Sequence, residues 1–177
     1  MAITYRDKWE LNIQHSIYDI LKTDLDTDFN NRVTFVIEWP EEDDKLKMPA
    51  DYNALPEEDK SRYIKLPAVA IELRNPEGFA NVEMGNRTEW TRVTIQIYVQ
   101  ATNKAEYQIL TRYIANKFKN YRMNIKDYSA GYPNESATTV GYLDTDRPGI
   151  YSNPALGEIN SSLRYGGVVI FTGRWEN

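Results

Sequence analysis

An alternating strand that runs directly into a capped amphipathic helix constrains the fold of this chain more than any other feature. Apolar and polar residues alternate from Trp90 to Val99. The apolar set comprises Val93, Ile95, Ile97 and Val99, and the polar set comprises Arg92, Thr94, Gln96 and Tyr98. Successive side chains of a strand point to opposite faces, so this pattern predicts one face on a core and one polar face.

A helix is predicted after this strand, from about Asn103 to Tyr121. The Asn103 side chain can accept a hydrogen bond from the amide of Glu106, and the Glu106 side chain can bond back, which forms a capping box. The predicted buried stripe comprises Ile109, Leu110, Tyr113, Ile114, Phe118 and Tyr121. The basic residues of this segment fall mostly off the stripe, which favours a solvated basic face over a partner-binding one.

Three further elements are predicted before that block. A helix is expected from about Asp7 to Lys22, because apolar residues recur there at spacings of three and four, and the acidic stretch 24–28 is interpreted as its exit loop. The members of its apolar stripe are Trp9, Ile13, Ile17, Ile20 and Leu21. The alternating segment Val33–Trp39 predicts a strand that ends before Pro40, and Leu66–Leu73 predicts a second, apolar strand.

The stretch that joins the strands Leu66–Leu73 and Trp90–Val99 carries turn chemistry at residues 75–78, where a proline and a glycine fit a β-turn. It predicts either an extended loop or a protruding hairpin that joins the two strands antiparallel. The last predicted strand runs from Tyr165 to Trp175 and is apolar on both faces, which is typical of a strand inside a sheet or under a partner subunit. Gly166 and Gly167 predict a bulge or bend in it.

Together these elements predict an α+β fold: a mostly antiparallel or mixed β-sheet packed against two main helices, in the order α-β-β-β-α-β with extra short strands. The length of 177 residues fits a single domain spanning 1–177. A long polar loop is expected at about 40–64, in which residues 54–60 can form a short helical turn. An irregular segment is expected at about 123–162, with its best strand at Thr138–Leu143.

Composition excludes several classes of protein. The chain has no cysteine, which removes disulfides, thiolate nucleophiles and zinc–thiolate sites. No window approaches the roughly 18 consecutive apolar residues of a membrane helix, and the N-terminus lacks the apolar region of a secretion signal. Residues 1–64 hold 15 acidic and 8 basic side chains, a net charge of −7, whereas residues 65–177 carry +2. The overall charge of −5 disfavours a protein that grips nucleic acid through phosphate neutralisation.

Few residues suggest catalysis. His15 is the only histidine, lies off the apolar stripe of the first helix and is expected to be exposed. Glu72 and Arg74 resemble the acid and lysine of metal-dependent nucleases, but an arginine cannot readily lose a proton to act as a base. Asp144 and Asp146 lie beside turn residues and predict an Asx-type turn. The sequence therefore predicts a non-enzyme with no catalytic residue, no cofactor and no metal site.

The order of the elements resembles the tail-terminator (tail-completion) proteins of long-tailed bacteriophages. Four parts of the chain carry this resemblance: the N-terminal helix Trp9–Leu21, the strand pair Leu66–Leu73 and Trp90–Val99, the immediate turn into helix Asn103–Tyr121, and the closing strand Val168–Trp175. It is a resemblance of element order and spans most of the chain.

The resemblance implies a virion protein, assembled in the host cytoplasm, that forms a ring, expected to be a hexamer. The ring would cap the tail tube and join it to the neck and connector proteins, and DNA would pass through its lumen without specific binding. Contacts to neighbours or to the tube are expected from segment 75–89 and from the acidic loop 41–60, and the polar strand face is expected to lie toward the lumen or a neighbour. The predicted interface residues are Glu77, Phe79, Met84, Arg87, Trp90, Arg92, Gln96 and Tyr98.

Three alternatives stay open. A related one is another neck or head-completion protein of the same particle, which would share this composition. One from a different class is a metal-dependent nuclease that uses Glu72. The third is a nucleic-acid-binding module, which the tyrosines and basic residues around the central block could serve by stacking on bases, although the acidic balance argues against it.

Overall fold

The computed structural model of the chain describes residues 9–36, 51–60, 63–81, 89–152 and 165–176. Its helices are α1 (Trp9–Asp28), the single-turn α2 (Glu57–Lys60) and α3 (Lys104–Lys117), with a 3-10 turn at Tyr52–Ala54. Its strands are β1 (Thr34–Val36), β2 (Ala68–Asn81), β3 (Glu89–Gln100), β4 (Arg122–Lys126), β5 (Thr139–Thr145), β6 (Gly149–Ser152) and β7 (Gly166–Glu176). None of the described helices is both long enough and apolar enough to cross a membrane.

The seven strands form one mixed sheet in the order β1-β2-β3-β7-β5-β4, with β6 also paired to β7. β1 runs parallel to β2, and the other pairs are antiparallel. β5 and β6 follow one another along the same edge of β7, interrupted at residues 146–148. Pro148 lies in that interruption, where a proline removes a donor that a continuous strand would need. The predicted α+β fold with a mixed sheet is confirmed.

Both long helices contribute to one hydrophobic core on one face of the sheet. The core residues of α1 are Ile13, Ile17, Leu21 and Leu25, those of α3 are Leu110 and Ile114, and those of β3 are Val93, Ile95, Ile97 and Val99. Phe118, directly after α3, stacks on Phe171 of β7 with 5.0 Å between ring centroids. Full burial of one such side chain stabilises the fold by about 1.5–3 kcal/mol. The predicted core face of β3 is therefore confirmed.

The predicted cap of α3 is present, with one difference. The amide of Glu106 donates to Asn103 Oδ1 at 2.9 Å, as the capping box requires. The Glu106 carboxylate bonds back to Thr102 instead of Asn103, and accepts from its amide at 2.8 Å and from its hydroxyl at 2.6 Å. At the other end, the Thr145 hydroxyl donates to the carbonyl of Phe118, so β5 satisfies a group that the helix end leaves without a partner.

Within α3, one residue of the predicted buried stripe is misassigned. Ile109 is 56% exposed, whereas Leu110 and Ile114 are fully buried. Tyr113 and Tyr121 are half-buried and pack at the edge of the core. The face toward the sheet instead includes a polar residue, since Thr111 is buried and its hydroxyl donates back to the Tyr107 carbonyl at 2.8 Å.

The prediction that residues 24–28 form an exit loop is wrong, because α1 continues to Asp28. Leu25 extends the buried stripe by one more turn and is fully buried. The aspartates are held on the helix surface, since Asp24 pairs with Lys117 at 2.5 Å and Asp26 pairs with Lys22 at 2.7 Å. The chain turns after the helix with Asn30 in the left-handed region at φ 53°.

The prediction for the segment after Leu73 is half right. β2 and β3 do form a long antiparallel hairpin. However, residues 75–78 do not form its turn, because β2 continues through them to Asn81 with two register shifts, between Arg74 and Glu77 and between Glu77 and Ala80. A proline in a strand is tolerated at such irregular positions.

Two predictions about the C-terminal third also need correction. Gly166 and Gly167 do not mark a bulge, because both pair in regular register with β3. Gly167 is required by close approach, since a Cβ there would lie 2.3 Å from the Tyr107 hydroxyl oxygen. The segment 123–162 is less irregular than expected. It contributes most of β4 as well as β5 and β6, and the expected strand Thr138–Leu143 is confirmed as β5.

Two predicted segments lie partly outside the described residues. Of the expected strand Val33–Trp39 the structure describes only β1, since residues 37–50 lie outside it. Within the predicted loop 40–64, the described residues 51–60 contain the 3-10 turn and α2, which agrees with the short helical turn expected at 54–60.

Candidate interaction surface on the outer face of the sheet

The sheet face opposite α1 and α3, called the outer face below, carries the polar residues of β3. Its exposure changes along that strand. Gln100 is 1% exposed at one end, Tyr98, Gln96 and Thr94 are half-buried, and Arg92 is exposed at the other end. Because Gln100 is buried, the end of the outer face near Arg92 is the part that a partner can reach.

Strand pairing places four charged residues side by side at this open end. Arg92 of β3 is the register partner of Arg174 of β7, Arg174 is that of Asp144 of β5, and Asp144 is that of Arg122 of β4. We call these four residues the charged row. Directly paired residues point to the same face, and strands lie about 4.8 Å apart, so the row spans roughly 14 Å across the sheet.

Local contacts hold one end of the charged row. The Arg122 guanidinium lies 3.6 Å from a carboxylate oxygen of Asp144. It also lies over the Tyr142 ring at 4.6 Å from the centroid, a cation–π geometry. Both Arg122 and Tyr142 are exposed, so these contacts arrange the side chains without burying them.

Asp146 ties β5 and β6 to the same edge of β7. Its carboxylate accepts from the Thr172 amide at 2.9 Å and from the Thr172 hydroxyl at 2.5 Å, and its own amide donates to the Thr172 carbonyl at 3.0 Å. The Asp146 carbonyl accepts from the amide of Asn120 at 3.2 Å. The predicted Asx-type turn for Asp144 and Asp146 is therefore wrong: Asp144 lies within β5, and Asp146 bonds to a neighbouring strand.

An open cavity of about 320 Å³ lies over this region. Its lining residues are Arg92, Asp144, Thr145, Asp146, Thr172, Gly173 and Arg174. Its lining combines the two neighbouring arginines with two aspartates, one of which is engaged by Thr172. Arg92 and Arg174 place two guanidinium groups in this lining, and a guanidinium can bind a carboxylate through two parallel hydrogen bonds. Chemically, the cavity suits recognition of a carboxylate or a comparable anion.

The structure brings three of the eight predicted interface residues together on the outer face: Arg92, Gln96 and Tyr98. Two of them are in contact, since the Tyr98 hydroxyl donates to Gln96 Oε1 at 2.8 Å. Backbone pairing places Glu77 opposite Arg92 and Trp90 opposite Ala80, and Phe79 lies on β2, but the side chains of Glu77, Phe79 and Trp90 lie outside the described part of the structure. Met84 and Arg87 lie wholly outside the described residues.

Sequence reasoning missed Arg174, Asp144, Arg122 and Tyr142 as members of this surface. One signal was present for Arg174, because it alternates with Gly173 and Trp175 and must face away from the core. No local signal could find Arg122 or Asp144. Their place beside Arg174 depends on the pairing of β4, β5 and β7, which the sequence does not encode at short range.

A second polar cluster lies between α1 and the segment that follows β4. Asp19 accepts from the Tyr128 hydroxyl and, at 2.6 Å, from the Tyr132 hydroxyl, and it lies 3.8 Å from Lys126 Nζ. Burial raises the pKa of both tyrosines above the usual value, and the hydrogen bonds to Asp19 raise it further. Each hydroxyl therefore keeps its proton, and the cluster acts as an anchor for α1.

The same cluster overturns the expectation that His15 is exposed. His15 is 9% exposed and stacks on the Tyr132 ring with 4.3 Å between centroids. The segment after β4 covers it, a long-range contact that a helical periodicity cannot reveal. Burial lowers the pKa of His15, and the nearby Asp19 opposes this shift only in part. Backbone contacts reinforce the anchor, since Asn12 Oδ1 accepts from the Tyr128 amide at 2.9 Å.

The residues considered for nuclease chemistry lie next to one another on one strand. Glu72 lies on β2 opposite Gln96, and Arg74 lies on it opposite Thr94. In the described ranges there is no group of three or more histidine, aspartate or glutamate side chains that could hold a metal ion.

Comparison with known proteins adds no relative to this picture. No model of a protein family matches the chain, and no curated protein matches it in sequence. The order of the elements and the outer face are therefore the features that bear on function.

Proposed function

We propose that this chain is a virion structural protein, a tail terminator whose copies form a ring that caps the tail tube and joins it to the head-side neck. The observation that carries the proposal is the open end of the outer face, where the charged row lies in register across four strands. The order of helices and strands supports it as well, because the resemblance to tail terminators rests on that order.

The composition of the outer face supports a role in subunit contact. Among the described side chains of this face, Arg92, Arg122 and Arg174 carry positive charge, and Tyr98 and Tyr142 lie near them. Arginine and tyrosine are enriched in protein–protein interfaces, whereas lysine is depleted. On β7 the half-buried Val168 and Ile170 lie beside this polar set and supply apolar area that a partner can cover.

A ring requires contacts between two different patches of each subunit, because a patch that binds itself gives a closed pair. The outer face is one candidate patch, and the acidic segment 41–60 is a different one. The net charge of −5 also suits a ring that DNA passes through, since an acidic lumen does not retain a polyanion.

The test uses the purified full chain, alone and with tail-tube protein, observed by negative-stain electron microscopy. The proposal predicts rings with an axial hole, a ring at one end of each tube, and shorter tubes as the ring protein is increased. A chain that stays monomeric in the presence of tail-tube protein would contradict it. A matched tube sample without the ring protein controls for spontaneous termination.

The same preparation separates the rival functions. A neck or head-completion protein would bind connector rings and leave tube length unchanged. A nuclease would cleave DNA with magnesium or manganese, and an Arg74→Lys variant would cleave faster, because lysine restores a group that can lose a proton. A tail terminator cleaves no DNA under these conditions with either side chain.

A further inference from the structure

The connection between β4 and β5, residues 127–138, lies across one side of α1 and is called the strap below. The two ends of the strap are joined, since the Asp127 amide donates to the Thr138 carbonyl at 2.9 Å. A turn within it is closed as well, since the Gly131 amide donates to the Tyr128 carbonyl at 2.9 Å. A loop that closes on itself in this way can move as a unit while β4 and β5 stay paired.

The side of α1 under the strap is polar, unlike the side that faces the core. Its residues recur at spacings of three and four, which places them on one helix face: Asn12, His15, Ser16 and Asp19. The Tyr128 amide of the strap donates to Asn12 Oδ1 at 2.9 Å. The hydroxyls of Tyr128 and Tyr132 both donate to the Asp19 carboxylate. The strap is therefore held to α1 by polar and aromatic contacts, whose strength depends on protonation.

His15 is the residue of this contact whose ordinary pKa lies in the range between pH 5 and 8. Its side chain is 9% exposed and contacts two rings of the strap. It stacks on Tyr132 with 4.3 Å between ring centroids and meets Tyr128 edge-on at 5.5 Å. Among the described residues, no carboxylate forms an ion pair with it. A proton on this ring would therefore place a charge where little water and no direct counter-ion can stabilise it.

The charged groups near His15 are Asp19 on α1 and Lys126 on β4. Asp19 attracts a proton on His15, but it also lies 3.8 Å from Lys126 Nζ and accepts the two tyrosine hydroxyls. Burial lowers the pKa of His15 from its ordinary value of 6.5, and Asp19 opposes this shift only in part. Because the pKa is lower in the folded state, the contact is complete above about pH 6.5 and weakens as the pH falls below it.

The tyrosines of the contact do not titrate in this range. Burial and the bonds to Asp19 raise the pKa of Tyr128 and Tyr132, so both hydroxyls stay protonated. Burial also raises the pKa of Tyr18, whose ring meets that of Tyr132 edge-on. The only charge that the contact gains between pH 8 and pH 5.5 from these aromatic groups is therefore the proton on His15.

We infer that the strap is a pH-sensitive cover: protonation of His15 in mild acid releases residues 127–138 from α1. Release exposes Tyr128, which is 1% exposed in the closed state, so the molecule then presents a different surface. It also lets water reach Asn12 Nδ2, a buried donor without a hydrogen-bond partner in the described part of the chain. The helix itself stays in place, because Ile17 and Leu21 on its opposite side are fully buried in the core. This inference does not depend on the proposed ring.

The test measures amide hydrogen exchange of the full chain by NMR between pH 5.5 and 7.5. Protection factors, which correct for the intrinsic exchange rate at each pH, report opening. Protection of the Tyr128 amide should fall by about three- to tenfold at pH 5.5, since one proton changes an equilibrium by at most about tenfold per pH unit. Protection of the Asp127 amide, which bonds across the base of the strap, should not change, and neither should that of Ile95 in β3.

A matched pair of variants separates His15 from the carboxylates. His15→Phe keeps an aromatic ring that cannot take up a proton, so protection of the Tyr128 amide should be the same at both pH values. The control combines His15→Phe with Gln108→His, which moves the single histidine to an exposed position on α3, and it should behave like His15→Phe. His15 is the only histidine, so its NMR titration in the wild-type chain gives a further measurement, with a midpoint expected below pH 6.5.

Several results would overturn the inference. One is protection of the Tyr128 amide that is equal at pH 5.5 and 7.5 in the wild type. Another is an equal fall in His15→Phe, which would assign the change to a carboxylate. A parallel fall at Asp127 and Ile95 would show general unfolding instead of release of the strap. A midpoint of His15 at or above pH 6.5 would remove the driving force. None of these results bears on ring formation, which the electron microscopy of the proposed function tests separately.

Discussion

The two faces of the same sheet are held by different physical means. On the inner face, Val93, Ile95 and Ile97 are fully buried under α1 and α3. On the outer face, the neighbouring residues of the same strand become more exposed from Gln100 toward Arg92. The inner face is held by burial, which is non-directional and strong. The outer face is arranged by register and by exposed charge contacts, which contribute little to stability.

This difference separates the residues that fold the chain from those available for contact with a partner. An exposed pair such as Arg122–Asp144 stabilises the fold by at most about 1 kcal/mol. Its replacement therefore leaves the fold intact and changes only what the face can bind. Replacement of an inner-face side chain destabilises the fold, because each of these side chains is closely packed against its neighbours.

The largest expected effect separates the two faces directly. Ile95→Ala removes a fully buried side chain and should lower the free energy of unfolding by about 2–5 kcal/mol. Arg92→Ala on the same strand should change it by no more than about 0.5 kcal/mol, because Arg92 is exposed. Urea denaturation of the three proteins gives both values. Similar losses of unfolding free energy for the two variants would show that Arg92 on the outer face stabilises the fold as much as a core residue does.

The next effect concerns the anchor of α1. Asp19→Asn leaves one oxygen where two tyrosine hydroxyls now donate, so one hydroxyl loses its acceptor and the fold should lose about 1–3 kcal/mol. Asp26→Asn is the control on the same helix, since it removes only an exposed pair with Lys22, worth about 0.3–0.5 kcal/mol. Equal losses in urea would contradict the assignment of Asp19 as an anchor.

Alkaline pH should lower the free energy of unfolding through the Tyr132–Asp19 contact. Burial and the bond to Asp19 raise the pKa of Tyr132 in the folded chain above its usual value of 10.0. The folded state then holds a proton that the unfolded state releases. Stability from this source is complete below pH 10 and is lost as pH rises above it. Urea titrations from pH 8 to 11 should show this decline, and Tyr132→Phe should make it less steep. An equally steep decline in the variant would show that Tyr132 does not contribute to it.

The smallest expected effect lies on the outer face. Arg122→Ala removes the contacts to Asp144 and Tyr142 and should cost at most about 1 kcal/mol, a loss that 0.5 M salt largely erases. Salt should leave the Ile95→Ala loss unchanged, because burial is not screened at this concentration. Urea denaturation at 0.05 and 0.5 M sodium chloride measures both. A large loss of stability for Arg122→Ala that salt does not reduce would show that Arg122 stabilises the fold through burial instead of charge.

The inner face could be predicted from sequence because its signals are local. The alternation from Val93 to Val99 and the cap at Asn103 depend on residues within a few positions of one another, and both are present in the structure. The length of α1 was missed because short-range rules discount a stretch of aspartates. Asp24 is held there by Lys117, a residue from another helix.

The candidate site was only partly predictable for the same reason. Arg92, Gln96 and Tyr98 follow from alternation along one strand. The rest of the charged row depends on which strand lies beside which, and β4 and β5 reach β7 only through long-range pairing. His15 is a parallel case on the inner side, because the residues that bury it come more than a hundred positions later.

The outer face is proposed as the surface through which copies of this chain join. The chain has no cysteine, so single cysteines can report exposure without background. Asn124→Cys lies on the outer side of β4, and Thr23→Cys lies on the exposed side of α1. The measurement compares the rates at which a maleimide labels each cysteine in monomers and in assembled rings. Assembly should slow labelling at position 124 at least about tenfold and leave position 23 unchanged, as expected when an interface excludes water. Equal labelling of position 124 in monomers and rings would contradict it.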